Sequence, residues 1–141
     1  MTKKKDSLKP EVRAAIDAAQ EKQAEQVTLL DLAGLGAFTD YFLLCTGFSS
    51  RQVEAICDEI EEKLDRIGVR LLHREGKSGS DWMLLDFGGL IVHVFTERAR
   101  HFYDLERLWR AAHRTEFGSP AENRRRTGHV PDLKVDAEAE G

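Results

Sequence analysis

Trp82-Met83-Leu84-Leu85-Asp86-Phe87-Gly88-Gly89-Leu90-Ile91-Val92-His93-Val94-Phe95 is the stretch that decides the fold. Two runs rich in aliphatic and aromatic residues flank Gly88-Gly89, the pair that a two-residue primed hairpin turn prefers. Such a turn fixes the register: Phe87 pairs with Leu90, Leu85 with Val92 and Met83 with Val94. Because side chains alternate across a strand, these six share one face. That face is wholly apolar and must be core. The other face carries Trp82 opposite Phe95, Leu84 opposite His93 and Asp86 opposite Ile91, so it is apolar and aromatic with two polar handles.

Upstream of the hairpin, Leu8, Val12, Ile16 and Ala19 recur at helical spacing between Ser7 and Gln23, with Pro10 placed where a first turn accepts it. Val27 to Leu32 and the nearly all-apolar run Tyr41 to Thr46 read as strands, the second buried on both faces and ended by Gly47. Ser49 with Gln52 fits a capping box, and Val53, Ile56, Ile60, Leu64 and Ile67 continue a helix that stops at Gly68. Val69 to His73 reads as a short strand and Gly76 to Ser80 as a loop. Downstream, Thr96 can cap a last helix in which Ala99, Phe102, Leu105, Trp109 and Ala112 repeat. Phe102 belongs to that apolar stripe, while Arg100 and Tyr103 sit off it and are free for a partner. The expected organisation is one domain over residues 1–113 and a disordered polar tail over 114–141, where large apolar groups are too few to offset the entropy of ordering.

The chain has 141 residues, 21 Lys+Arg against 25 Asp+Glu and a net charge of −4, the wrong sign for a protein that grips phosphate backbones over a broad surface. Little direct nucleic-acid binding is expected, and the partner is expected to be protein. No apolar stretch approaches the roughly 18 residues of a membrane span, so no membrane partner is expected. The basic start lacks the apolar run of an export signal, which makes the cytoplasm the default. Cys45 and Cys57 read as reduced core residues.

Few residues are spaced for chemistry. Gly76-Lys77-Ser78 copies the end of a phosphate-binding loop, but position 71 is Leu71 where that motif needs glycine, and a strand follows rather than a helix. Gly47-Phe48-Ser49-Ser50 sits where nucleotidyl transferases place a glycine-serine pair. The nearby acids Asp81 and Asp86, however, point to opposite faces and cannot share a metal, so Ser49 is simply an N-cap. The cysteines and the histidines His73, His93, His101, His113 and His129 lack ligand spacing, and neither metal nor cofactor is expected. The second hairpin face remains. If the first and last helices cover it, it is core and His93 is a buried histidine; if the helices all pack on the Met83 face, the open patch is a docking surface.

Thr39-Asp40-Tyr41-Phe42, Thr46-Gly47, Ser49-Ser50-Arg51-Gln52-Val53, Glu75-Gly76, Trp82, Leu85-Asp86-Phe87-Gly88, Val92-His93-Val94-Phe95, Arg100 and Tyr103-Asp104-Leu105-Glu106-Arg107-Leu108-Trp109 form an ordered series that resembles the ribosomal silencing factors, the Iojap-like family. The match spans Leu8 to Ala112. It departs from the family pattern at Gly89, where an acid is usual, and in the chain beyond Ala112. The resemblance implies a single α/β domain whose mixed sheet is flanked by helices, nucleotidyltransferase-like without the active site. It implies no catalysis, but binding to the large ribosomal subunit through the large-subunit protein numbered fourteen. Bound there, the chain would block small-subunit joining and damp translation when nutrients fail. It places Trp82, Asp86, His93, Arg100, Tyr103 and Glu106 on or beside the partner surface; the hairpin register adds Leu84 and Phe95. Two other functions stay open: a nucleotidyltransferase-fold enzyme acting on nucleotides, and a large-subunit assembly factor. So does a homodimer.

Overall fold

A computed structural model describes residues 7–118 of the chain. The hairpin forms in the expected register, β4 (Trp82–Asp86) against β5 (Leu90–Thr96), with Trp82 opposite Phe95 and Leu85 opposite Val92. Phe87 N–H donates to Leu90 O at 2.8 Å, which closes the two-residue turn. Gly88 takes φ 95° while Gly89 stays at negative φ, the handedness of a type II′ turn. Asp86 Oδ1 accepts from Gly88 N–H at 2.8 Å and so supports the turn from within.

Around this hairpin a six-stranded mixed sheet assembles in the order β3-β4-β5-β2-β1-β6. β2 (Tyr41–Gly47) lies parallel to β5, and every other pair is antiparallel: β1 (Glu25–Asp31) on β2, β3 (His73–Glu75) on β4, and β6 (His113–Phe117) on β1. Helices α1 (Pro10–Glu21) and α2 (Ser50–Arg66) both pack on the Met83 face. Val12, Ile16, Val53, Ile56 and Ile60 bury there against Leu43, Met83, Leu85, Val92 and Val94. Ser49 caps α2 through Gln52 N–H, as expected, but Gln52 Oε1 accepts from Phe48 N–H rather than from Ser49, and its amide donates to Lys22 O and Gln23 O. One side chain thus ties the start of α2 to the end of α1.

Three local expectations change. The strand expected over Val69–His73 forms at His73–Glu75, on the sheet edge outside β4, with His73 and Glu75 exposed. The single last helix is broken into α3 (Glu97–Tyr103) and a short turn α4 (Leu105–Leu108) by Asp104, which adopts φ 51° and ψ 54°. Order also runs past position 113, because β6 pairs with β1 from Asp31↔His113 to Val27↔Phe117. Residues 119–141, the rest of the expected tail, lie outside the described residues. The loop Gly76 to Ser80 is an ordinary turn in which Lys77 N–H donates to Ser80 Oγ. Among the described residues no helix is long and apolar enough to cross a membrane.

Candidate functional site

The second hairpin face is neither fully covered nor fully open. α3, α4 and Trp109 lie over it, with Ala99, Leu105, Trp109 and Ala112 packed against Leu30, Phe42, Leu44, Ile91 and Phe95. Neither of the two alternatives holds in full: α1 is on the Met83 side with α2, while the last helical segment covers the second face. The α3–α4 segment alone spans the β5-β2-β1 half, which leaves the β4 side only partly shielded: Trp82, Leu84 and Asp86 stay half-buried.

Burial divides the expected site residues into two groups. Phe95 is fully buried, His93 is 4% exposed and Arg100 6%, so these three are interior and present no side chain to a partner. The broken helix explains the reversal at Arg100. A straight helix would have turned Phe102 inward and Arg100 outward, but the seven-residue α3 buries Ala99 and Arg100 and leaves Phe102 76% exposed.

His93 is a neutral spacer. Trp82 Nε1–H donates to its Nδ1 at 3.1 Å, which puts the ring proton on Nε2, and Nε2 is buried without a hydrogen-bond partner among the described residues. Its ring meets Phe42 edge-on at 4.7 Å. Burial pushes its pKa down to about 4. The consequence is orientation: the accepted hydrogen bond fixes the Trp82 indole, whose ring centroid lies 4.4 Å from that of Tyr103, and Tyr103 in turn meets Phe102 edge-on at 5.0 Å. A chain of aromatic contacts therefore runs from the core at Phe42 out to solvent at Phe102.

Arg100 and Glu106 brace that chain from beneath. The guanidinium donates to both carboxylate oxygens of Glu106, at 2.6 and 3.4 Å, and to Thr28 Oγ1, Thr46 Oγ1 and Gln26 O. Burial alone would raise the Glu106 carboxyl, but the hydrogen bonds and charge of Arg100, with Arg114 at 3.3 Å, hold it below the usual carboxylate range. The pair closes the α3–α4 break and so sets where Tyr103 stands. Two recesses flank the exposed aromatics. One, of about 420 Å³, is lined by Ser80, Asp81, Trp82, Arg98, Ala99, Phe102 and Tyr103. The other, of about 790 Å³, is lined by His101, Phe102, Tyr103, Asp104, Arg107, Leu108 and Arg110.

The site that the fold brings together is thus Trp82, Phe102, Tyr103 and Leu108, with Leu84 and Asp86 alongside on β4. Phe102 and Leu108 are the members that sequence reasoning missed. The one signal for them was Asp104, a residue type that tolerates the left-handed conformation and can interrupt a helix. Cys45 and Cys57 are free and buried, and burial raises both thiols to about 12, in keeping with core residues.

Comparison with known proteins matches residues 5–140 to the family described as "ribosomal silencing factor during starvation". The chain belongs to this family. A ribosomal silencing factor of Bacillus subtilis is 40% identical over 98 residues, covering 70% of this chain and 83% of that protein. An X-ray crystal structure of a Chromobacterium violaceum protein superposes with a TM-score of 0.68 at 34% identity, covering 70% of this chain and 82% of that one. A mouse relative named "mitochondrial assembly of ribosomal large subunit protein 1" is 26% identical over 97 residues, covering 67% of this chain and 42% of the mouse protein.

Proposed function

We propose that this ribosomal silencing factor acts in the cytoplasm by docking on the large ribosomal subunit through Trp82, Phe102, Tyr103 and Leu108. The partner there is the large-subunit protein numbered fourteen. Occupying that face, it sterically prevents the small subunit from joining, without catalysis, and so lowers translation under nutrient limitation. The observation that carries this reading is the solvent-facing apolar group of two aromatics and a leucine: Phe102 is 76% exposed, Leu108 74% and Tyr103 47%. Aromatic side chains bury about 150–250 Å² each and dominate interface energetics, so leaving several in water serves an interaction rather than the free fold. The net charge of −4 favours a protein contact over bare RNA.

Sedimentation with isolated subunits tests the proposal. The protein is expected to travel with large subunits and not with small ones, and to be displaced when small subunits are added. Tyr103→Ala and Phe102→Ala, each alone, are expected to weaken binding tenfold or more, roughly 1.4 kcal/mol, while the free protein melts within about 2 °C of the parent. Equal binding to joined ribosomes and free large subunits would sink the exclusion mechanism. The name of the mouse relative favours a second reading, a role in large-subunit assembly; preferential binding to immature over mature large subunits would select it.

A further inference from the structure

The recess of about 790 Å³ beyond Tyr103 is apolar at its centre and basic at its rim. Phe102 and Leu108 are 76% and 74% exposed there, and His101, Arg107 and Arg110 stand exposed around them. The nearby carboxylates of Glu106 and Glu116 are held by Arg100 and Arg114, which leaves Arg107 and Arg110 without an ion pair among the described residues. Such a surface fits an occupant of the opposite pattern, aliphatic with acids interleaved. The chain carries one. Beyond the described residues, Val130-Pro131-Asp132-Leu133-Lys134-Val135-Asp136-Ala137-Glu138-Ala139-Glu140 sets four acids against one lysine, and Val130, Leu133 and Val135 are the only large aliphatic residues after Phe117. The run Arg124-Arg125-Arg126 lies upstream of this segment and has the wrong sign for the rim.

We propose that residues 130–140 occupy this recess in the same molecule, with Leu133 on Leu108 and the acids against Arg107 and Arg110, and that they compete there with the large subunit. The competition rests on the docking proposed above, whereas the contact does not. The described chain stops at Gly118, whose carbonyl accepts from Gln20 Nε2 at 3.3 Å. Leu133 follows fifteen residues later. Such a length spans up to roughly 50 Å when extended, against a radius of gyration of about 13 Å for a domain of about 100 residues, so the recess is within reach. Joined to the domain in this way, the segment meets the recess at an effective concentration of roughly a millimolar, and contacts too weak to hold a separate peptide keep it in place. A segment that covers the recess in about two-thirds of the molecules leaves a third open and lowers the apparent affinity for large subunits about threefold.

Disulfide trapping in the full chain tests the contact without ribosomes, and the native cysteines are buried. Leu108→Cys with Leu133→Cys is expected to close an intrachain disulfide on mild oxidation about tenfold faster than Leu72→Cys with Leu133→Cys. Leu72 is a fair control, 63% exposed but beside Gly88 at the hairpin tip. Arg107→Glu with Arg110→Glu is expected to slow the trap about tenfold, and the further changes Asp132→Lys and Asp136→Lys to restore it. A loosened domain could not be repaired by substitutions outside it. For the competition, Leu133→Asp in the otherwise native chain is expected to bind large subunits about threefold more tightly than the parent. A trap no faster than the control, a disulfide formed between chains instead of within one, or a charge reversal that changes nothing or is not restored would overturn the contact. Equal affinity of parent and Leu133→Asp, in a chain that does travel with large subunits, would overturn the competition. A fast trap in a chain that never travels with them would uphold the contact and refute the docking reading instead.

Discussion

Arg100 carries five N–H donors in a fixed fork, and the fold meets all five: Gln26 O and Thr28 on β1, Thr46 on β2, and the two carboxylate oxygens of Glu106 on α4. Lysine could not reproduce this, having three donors on one nitrogen. Arg100→Met is expected to cost about 3 kcal/mol in urea denaturation, near the lower end for a broken buried pair, because Glu106 keeps Arg114 and some solvent. A loss under about 1 kcal/mol would show that the fork does not hold the α3–α4 break. At His93 the sign of the pH effect follows from burial. Its folded pKa of about 4 lies below the ordinary 6.5, so the unfolded chain takes up the proton first as pH falls. This contribution to stability is complete above about 6.5 and is lost as pH falls toward 4, by roughly 3 kcal/mol in all. His93→Gln, neutral throughout and able to accept from Trp82, is expected to flatten the melting temperature across that window; an unchanged slope would assign the acid sensitivity to other groups.

The elements differ in how openly the sequence displays them. The hairpin was legible down to its register because Gly88-Gly89 permits one turn length, and the turn length sets every pair. α1 and α2 were legible because their buried stripes are long. α3 and α4 were not, since Ala99, Phe102, Leu105 and Trp109 fit a straight helix equally well, and the burial of Arg100 depends on oxygens that arrive from β1 and β2. No local spacing encodes that convergence. For the same reason the candidate site was only partly legible: Trp82 and Tyr103 keep the partial exposure that docking would need, whereas His93, Phe95 and Arg100 are interior. β6 was passed over because only Phe117 in it is apolar, although its alternation is that of a strand. A chain ending at His113 loses the pairing of Val27 to Leu30 and the packing of Phe117 on the core. Compared with a chain ending at Gly118, it is expected to be less stable by roughly 2 kcal/mol or more, a difference of several degrees in Tm. Equal melting temperatures would mean that β6 adds nothing to the sheet.

Over the whole molecule the two faces of the sheet have different tasks. The Met83 face is sealed by two long helices and supplies most of the core, while the opposite face is closed by a short, interrupted segment whose outer side is aromatic and wet. Because the two clusters are separate, the exposed aromatic side chains can change without disturbing the larger hydrophobic cluster. The parallel seam between β2 and β5 joins Tyr41 to Leu90 and Gly47 to Thr96, partners 49 positions apart along the chain. Hairpin and helices can form within about microseconds. The seam must first close a span whose entropy costs roughly 3–4 kcal/mol, so non-local closure, not local propensity, limits the folding rate. During synthesis the centre of the sheet cannot join until Thr96 has left the exit tunnel, and every nascent copy remains without its central seam until more than two-thirds of its length has been made.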